Sequence, residues 1–312
     1  MSVVEAKPSG VLVVDKPRGI SSHDVVQCVR RALHTRAVGH AGTLDPMATG
    51  ILVLGVGEGT KLLHHLSADD KTYLATVRLG EQTDSLDADG RVVASAPLPA
   101  DLLRDTVERA ARAFVGEFVQ RAPVVSAIKQ QGVALYARAR RGEQVEAPER
   151  NVRVDALEIL ELRACEIDLR VRSGKGFYVR ALARDLAKAL GTLGHLTALR
   201  RTQSGGFELH DAVGFELVEQ ARRGDEAARA TLLVRLLPPS AALRGRPSVQ
   251  VDEQGVTDVR QGRALSPARI RGEVLPAEGC DPVAVLDERG ALIALGRCRA
   301  GRIEIARGIH TS

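Results

Sequence analysis

The chain has 312 residues, 44% of them hydrophobic and 27% charged, close to the balance of ordinary globular domains. Its length predicts two domains, or one large domain with an appendage, and its composition excludes a mainly disordered or collagen-like chain. The net charge is +5, with seven Lys and 37 Arg. Guanidinium groups suit bidentate phosphate contacts, so the Arg excess fits a nucleic-acid partner. So mild a charge is explained as well by a genome that favours Arg codons.

No run approaches the roughly 18 apolar residues of a membrane span. The N-terminus, MSVVEAKPSG, lacks the basic segment and apolar run of a secretory signal, so the expected location is cytoplasmic, with no membrane partner. Cys28, Cys165, Cys280 and Cys298 are scattered without CxxC spacing, which predicts reduced thiols rather than a zinc site or disulfide framework.

In chain order, GVLVVD (10–15) reads as a strand stopped by Lys16-Pro17. Ser21 and Asp24 form a capping-box pattern at the start of a helix. Val25, Val26, Val29 and Leu33 then share one face. The loop GHAGTLDPMATG (39–50) precedes an apolar strand, ILVLGV, a short helix near GTKLLHHL and an alternating strand, KTYLATVRL (71–79). Residues 99–113 pattern as an amphipathic helix. NVRVDALEIL and CEIDLRVR read as strands, and residues 178–190 as a helix stopped by Gly191. The segment 199–207, LRRTQSGGF, reads as a basic turn, and two helices are expected near 215–223 and 225–237. LPPSAALRGRP (237–247) has the composition of a linker. The division is therefore a body over 1–240 and a small β-rich module over 245–312. Mixed strands and helices without strict βαβ alternation predict an α+β fold.

Four segments carry candidate chemistry. In the Gly-rich loop, Asp45 precedes Pro46, which confines Asp45 to extended conformations and so fixes the direction of its carboxylate. An Asp before Pro is more commonly a turn or cap residue. Ser173–Arg180 places two glycines, Phe177-Tyr178 and Arg180 at a strand-to-helix junction, where backbone N–H groups are free. Leu199-Arg200-Arg201 and Lys71-Thr72-Tyr73 are the other two. No GK[ST] occurs, so a phosphate-binding loop and a nucleotide cofactor are rejected. His64-His65 are adjacent without a carboxylate at ligand spacing, so no metal is expected. Only three Tyr occur, and two of them lie in these segments.

GVLVVDKPRGISSHDVV, GHAGTLDPMATGILVLGVGEGTK, KTYLATVRLG, TDSLDADG, GKGFYVRALARDL and LRRTQSGGF occur in that order. Together they resemble the TruB family of tRNA pseudouridine synthases, over about residues 10–310. The resemblance implies a mainly antiparallel mixed sheet flanked by helices, followed by a PUA-like RNA-binding module. It implies isomerisation of uridine to pseudouridine at position 55 of the TΨC arm of tRNA, without cofactor or metal, by a standalone enzyme and, by default, a monomer. Asp45 matches the catalytic nucleophile, which attacks either C1′ or C6. Arg180 matches its ion-pair partner, Tyr73 the residue stacked on the base, Tyr178 a tyrosine packed beside it and Leu199 an apolar pocket residue. His40 matches a histidine pushed into the RNA loop, and Lys16 a lysine of structural or RNA-contact role. Arg200 and Arg201 are expected at phosphates. A base buried in the RNA fold must be flipped out before reaction.

The family usually carries Pro-Pro and an aromatic before Ser-Ala-x-Lys, whereas this chain has Ala122-Pro123-Val124-Val125. A non-catalytic RNA-binding or tRNA-folding protein and a guide-RNA-dependent synthase are the alternatives. On the modular reading, removing 245–312 weakens tRNA affinity and spares turnover on a bare stem-loop.

Overall fold

The computed structural model describes residues 7–100, 102–124, 129–130, 133–134, 147–272 and 275–310. Val125, where the family's aromatic is replaced, lies outside the described residues, as does Tyr136.

Ten strands form the main sheet: Gly10–Lys16 (β1), Val38–His40 (β2), Thr49–Val56 (β3), Lys71–Leu79 (β4), Gly116–Arg121 (β5), Glu149–Arg163 (β6), Glu166–Ser173 (β7), Gly194–Ser204 (β8), Phe207–Glu208 (β9) and Val213–Gly214 (β10). Their order is β10-β1-β3-β8-β4-β7-β6-β5, with β9 beside β8 and β2 beside β3. Pairing is antiparallel except at β1–β10 and β3–β8. The flanking helices are Ser22–Ala32 (α1), Leu63–Ser67 (α2), Arg104–Arg112 (α3), Val179–Ala189 (α4), Phe215–Arg222 (α5) and Glu226–Val234 (α6). This is the α+β architecture expected.

Local rules account for the elements that position the site. The Ser21 hydroxyl accepts from Asp24 N–H and the Asp24 carboxylate accepts from Ser21 N–H, which starts α1. Val25, Val26 and Val29 then bury against Leu12, Val14, Leu52 and Leu54 of β1 and β3. α4 lays Leu182, Ala183 and Leu186 on a second cluster with Val77, Ile167 and Leu169. Gly191, at φ 78°, ends it.

Three expectations are corrected. The helix predicted over 99–113 begins only at Arg104, because Leu103 at its N-cap is extended. The segment 199–207 continues strand β8 to Ser204, since its backbone pairs with β4; the turn follows at Gly205. Residues 237–247 are no open linker: Leu237 pairs with Val11, and a 3-10 turn over Pro239–Leu243 buries Ala242 and Leu243.

Beyond that turn lies a five-stranded sheet of Ser248–Val251 (β11), Ile270–Arg271 (β12), Val283–Leu286 (β13), Leu292–Arg299 (β14) and Arg302–Gly308 (β15). It also carries a helix not predicted, Glu253–Arg260 (α7), capped by Asp252 accepting from Gly255 N–H. Ala284, Leu292, Leu295 and Ile309 of this region share one buried cluster with Val11, Val13, Ile51, Val53, Leu62 and Leu66. The two sheets are therefore joined through a common apolar core.

Candidate active site

The loop between β2 and β3 is tied down on both sides of Asp45. Ser22 Oγ donates to Leu44 O (3.0 Å) and accepts from Leu44 N–H (2.8 Å). Gly19 N–H donates to Pro46 O at 2.8 Å, and Ala48 N–H to Asp45 O at 3.0 Å. Lys16 is fully buried, with Nζ on Pro17 O, Ile20 O and Pro46 O. It holds this loop from within, a placement that leaves no surface for RNA, and burial pushes its pKa down to about 8. Arg201 closes the loop's base. Its Nε donates to Ile51 O (2.7 Å) and its Nη2 to Gly42 O (3.2 Å).

Arg180, in the first turn of α4, is buried and meets Asp45 side on, with Nε 2.9 Å from Oδ2 and Nη2 3.0 Å from Oδ1. Its Nη1 reaches Asp87 Oδ2 at 3.2 Å and Ser85 O at 2.9 Å. Such a two-point pair fixes the plane of the carboxylate as well as its position. Burial among protein atoms pushes the Asp45 carboxyl above its ordinary value; Arg180 pulls it back, and Asp87 pushes it further up.

Tyr178, the N-cap of α4, has no side-chain cap hydrogen bond. Gln120 of β5 instead fixes the backbone of Tyr178 from across the junction. Its Oε1 accepts from Tyr178 N–H (3.0 Å) and its Nε2 donates to Tyr178 O (3.2 Å). The Arg150 guanidinium stands 5.9 Å from the Tyr178 ring centroid. Tyr73 of β4 sits opposite Val171 of β7 and Arg201 of β8.

These elements converge on one cleft of about 250 Å³, lined among others by Asp45, Tyr73, Tyr178, Arg180, Leu199, Lys71 and Arg201. Six candidate residues from four sequence segments, Asp45, Tyr73, Tyr178, Arg180, Leu199 and Arg201, thus meet in a single site. A rigid carboxylate, an apolar wall and two half-buried tyrosines suit the binding of a planar ring beside a nucleophile or base.

Arg200, His40 and Lys16 are outside the cleft lining. Arg200 points away from the cleft and holds Asp15 through Nη1 (3.1 Å) and Nη2 (2.7 Å). Arg201 is 1% exposed and lies inside the cleft lining rather than on the outer surface. His40, on β2, is half-buried; its Nδ1 has no hydrogen-bond partner among the described residues, and burial lowers its pKa. Asp87, Gln120 and Lys71 were not singled out as site residues. Asp87 sits in TDSLDADG and Lys71 opens KTY, but only the fold shows what each side chain faces.

Known proteins resemble the chain along most of its length. The family model of the TruB family pseudouridylate synthase N-terminal domain matches residues 30–179, and that of the tRNA pseudouridylate synthase B C-terminal domain matches 180–244. The tRNA pseudouridine synthase B of Corynebacterium diphtheriae is 43% identical over 270 residues, 85% of this chain and 87% of the relative. That of Mycobacterium avium is 47% identical over 266 residues, 84% and 82% of the two chains. Among solved structures, a chain of an H/ACA RNP bound to a substrate RNA containing 2′-deoxyuridine superposes with a TM-score of 0.74 at 24% identity. It covers 97% of this chain and 85% of that one, and shows the same fold.

Proposed function

Because the chain belongs to the TruB family of pseudouridylate synthases, we propose that it isomerises uridine to pseudouridine in tRNA, at position 55 of the TΨC loop. The observation that carries this reading is the Asp45 carboxylate, gripped at two points by buried Arg180 in a cleft walled by Tyr73, Tyr178 and Leu199.

The reaction exchanges one bond for another: C1′–N1 breaks, C1′–C5 forms, and the C5 hydrogen is replaced by one on N1. Asp45 acts ionised, as the nucleophile at C1′ or C6. Arg180 keeps the charged form available against the cost of burial and aims it. Tyr73 stacks on the flipped base, replacing stacking lost from the RNA, and stands where the C5 proton leaves. The chain's own residues supply every role in this scheme. Residues 245–312 act as a PUA-like module that extends the RNA footprint. The groove lined by Arg260, Arg307 and His310 is its contact surface.

Curated relatives at 39–47% identity named for tRNA modification favour a standalone tRNA enzyme over a guide-dependent one. The test is tritium release from a tRNA transcript labelled at C5 of uridine, without added metal or nucleotide. Release of one equivalent per tRNA, abolished by Asp45→Asn, is expected. Binding without release overturns catalysis and leaves an RNA-binding or guide-dependent protein.

A further inference from the structure

Lys71 and Arg201 are buried cations of the cleft, 6% and 1% exposed, and unlike buried Arg180 neither is paired with an acid among the described residues. They pack together against Gly42, where an added Cβ would lie 3.5 Å from Arg201 Nη1 and 3.7 Å from Lys71 Cε. Among the described residues, neither has a carboxylate within ion-pair distance. The Lys71 ammonium donates to two carbonyls, Ser67 O (2.8 Å) and Asp69 O. The nearest acid, Asp69, spends its carboxylate on Arg246. Arg201 uses Nε and Nη2 on carbonyls and leaves Nη1 without a hydrogen bond among the described residues. Beside Arg201 lies His40 with its unpartnered Nδ1. Two buried charges of one sign, with carbonyl partners only, are costly, and an incoming anion offsets that cost.

We propose that Lys71 and Arg201 form an anion subsite of the cleft, which receives an anionic oxygen delivered by the RNA. The inference rests on the synthase reading above. Two sources supply that oxygen. One is a backbone phosphate flanking the flipped uridine. The other is the base itself: attack at C1′ leaves the C1′–N1 bond pair on uracil, with the charge shared by N1, O2 and O4. Preorganised buried cations stabilise charge at either place more than exposed ones do.

The groups facing Lys71 are Arg201 from β8 and Asp69 and Asp70 from the turn before β4; burial and Arg201 lower its pKa to about 8. An anion binds the protonated form, so the subsite weakens as pH rises through about 8. Lys16 titrates in the same range, and Lys71→Arg separates the two because Arg stays charged.

The experiment measures kcat, KM and their salt and pH dependence by tritium release for the full chain, Lys71→Gln and Lys71→Arg. If the oxygen is a phosphate, Lys71→Gln raises KM about tenfold, holds kcat within about twofold and makes the log–log salt slope shallower by about 0.7. If it is the uracil anion, kcat falls about tenfold and the salt slope is unchanged. In both cases Lys71→Arg restores activity and removes the contribution of Lys71 to the alkaline limb near pH 8. The inference is overturned if folded Lys71→Gln matches the full chain, or if Lys71→Arg is as impaired as Lys71→Gln. Should Lys71→Gln fail to fold, loss of activity in folded Lys71→Arg at about pH 7 overturns it alone. Activity in the full chain with no effect of either variant leaves the synthase reading intact, whereas no release by the full chain removes that reading first.

Discussion

Asp45 and Asp87 share the Arg180 guanidinium, and the two carboxylates use different edges of it. Asp87 is buried, and its Oδ1 accepts from the Ser85 hydroxyl (2.6 Å) and Asp89 N–H (3.2 Å). Its place is therefore set before any substrate enters, and it acts by holding Arg180 against Asp45. Asp87→Asn keeps the shape but weakens that hold. It should lower kcat about 10- to 100-fold with a smaller change in KM, read by single-turnover tritium release. The raised pKa of Asp45 has a pH consequence. With Asp45 as the proposed nucleophile, protonation abolishes its role, so activity is expected to be lost as pH falls through a value above the usual carboxylate, about 3.9. A pH profile of kcat/KM should show a one-proton acid limb above that value, and a limb at or below it would remove burial as the controlling effect. Asp45, Tyr73, Tyr178 and Arg180 were legible because their neighbours recur as dense motifs. Asp87 was not, because an Asp in a Gly-flanked turn looks the same in sequence whether it caps the turn or faces a guanidinium.

The Gly-rich loop works as an element because strands β3 and β8 approach closely at its end. Gly50 has φ 98°, and a Cβ there would lie 2.2 Å from Arg201 O. Gly50→Ala should cost about 3 kcal/mol by chemical denaturation. It should also reduce kcat, since Arg201 fastens both ends of the loop. The Ser21–Asp24 capping box is exposed and simpler: Ser21→Ala should cost about 1 kcal/mol and leave kcat unchanged. The start of α1 was readable from sequence because a cap is a local arrangement. The strand character of 199–204 was not, because two arginines before Gly-Gly match a turn in composition, and only pairing with Leu74 and Tyr73 overrides that preference.

At the scale of the molecule, the C-terminal sheet is built into the body. Ile309 and Leu295 share a core with Val11 and Ile51. Lys61 Nζ donates to Gly308 O at 2.9 Å, and His310 N–H to the Glu58 carboxylate at 2.7 Å. Arg246 pairs with Asp69, two residues from Lys71. A chain ending at residue 244 would bare that apolar cluster. It should lose solubility and cooperative unfolding, measured by sedimentation and circular dichroism, rather than lose tRNA affinity alone. A soluble, cooperatively folded truncation active on a stem-loop would restore the modular reading.

The sequence by itself determined the α+β class, the main strands and helices and the family, because capping, periodicity and dense motifs act over a few residues and survive without the fold. The tertiary structure decided which of those residues meet. It turned Lys16 and Arg201 inward, gave Arg200 to Asp15, added Asp87 and Gln120 to the site and merged the two sheets through one core. Those outcomes depend on contacts between residues far apart in the chain, such as Arg201 with Gly42 and Gln120 with Tyr178. Composition at one position carries no information about the partner that folding brings to it.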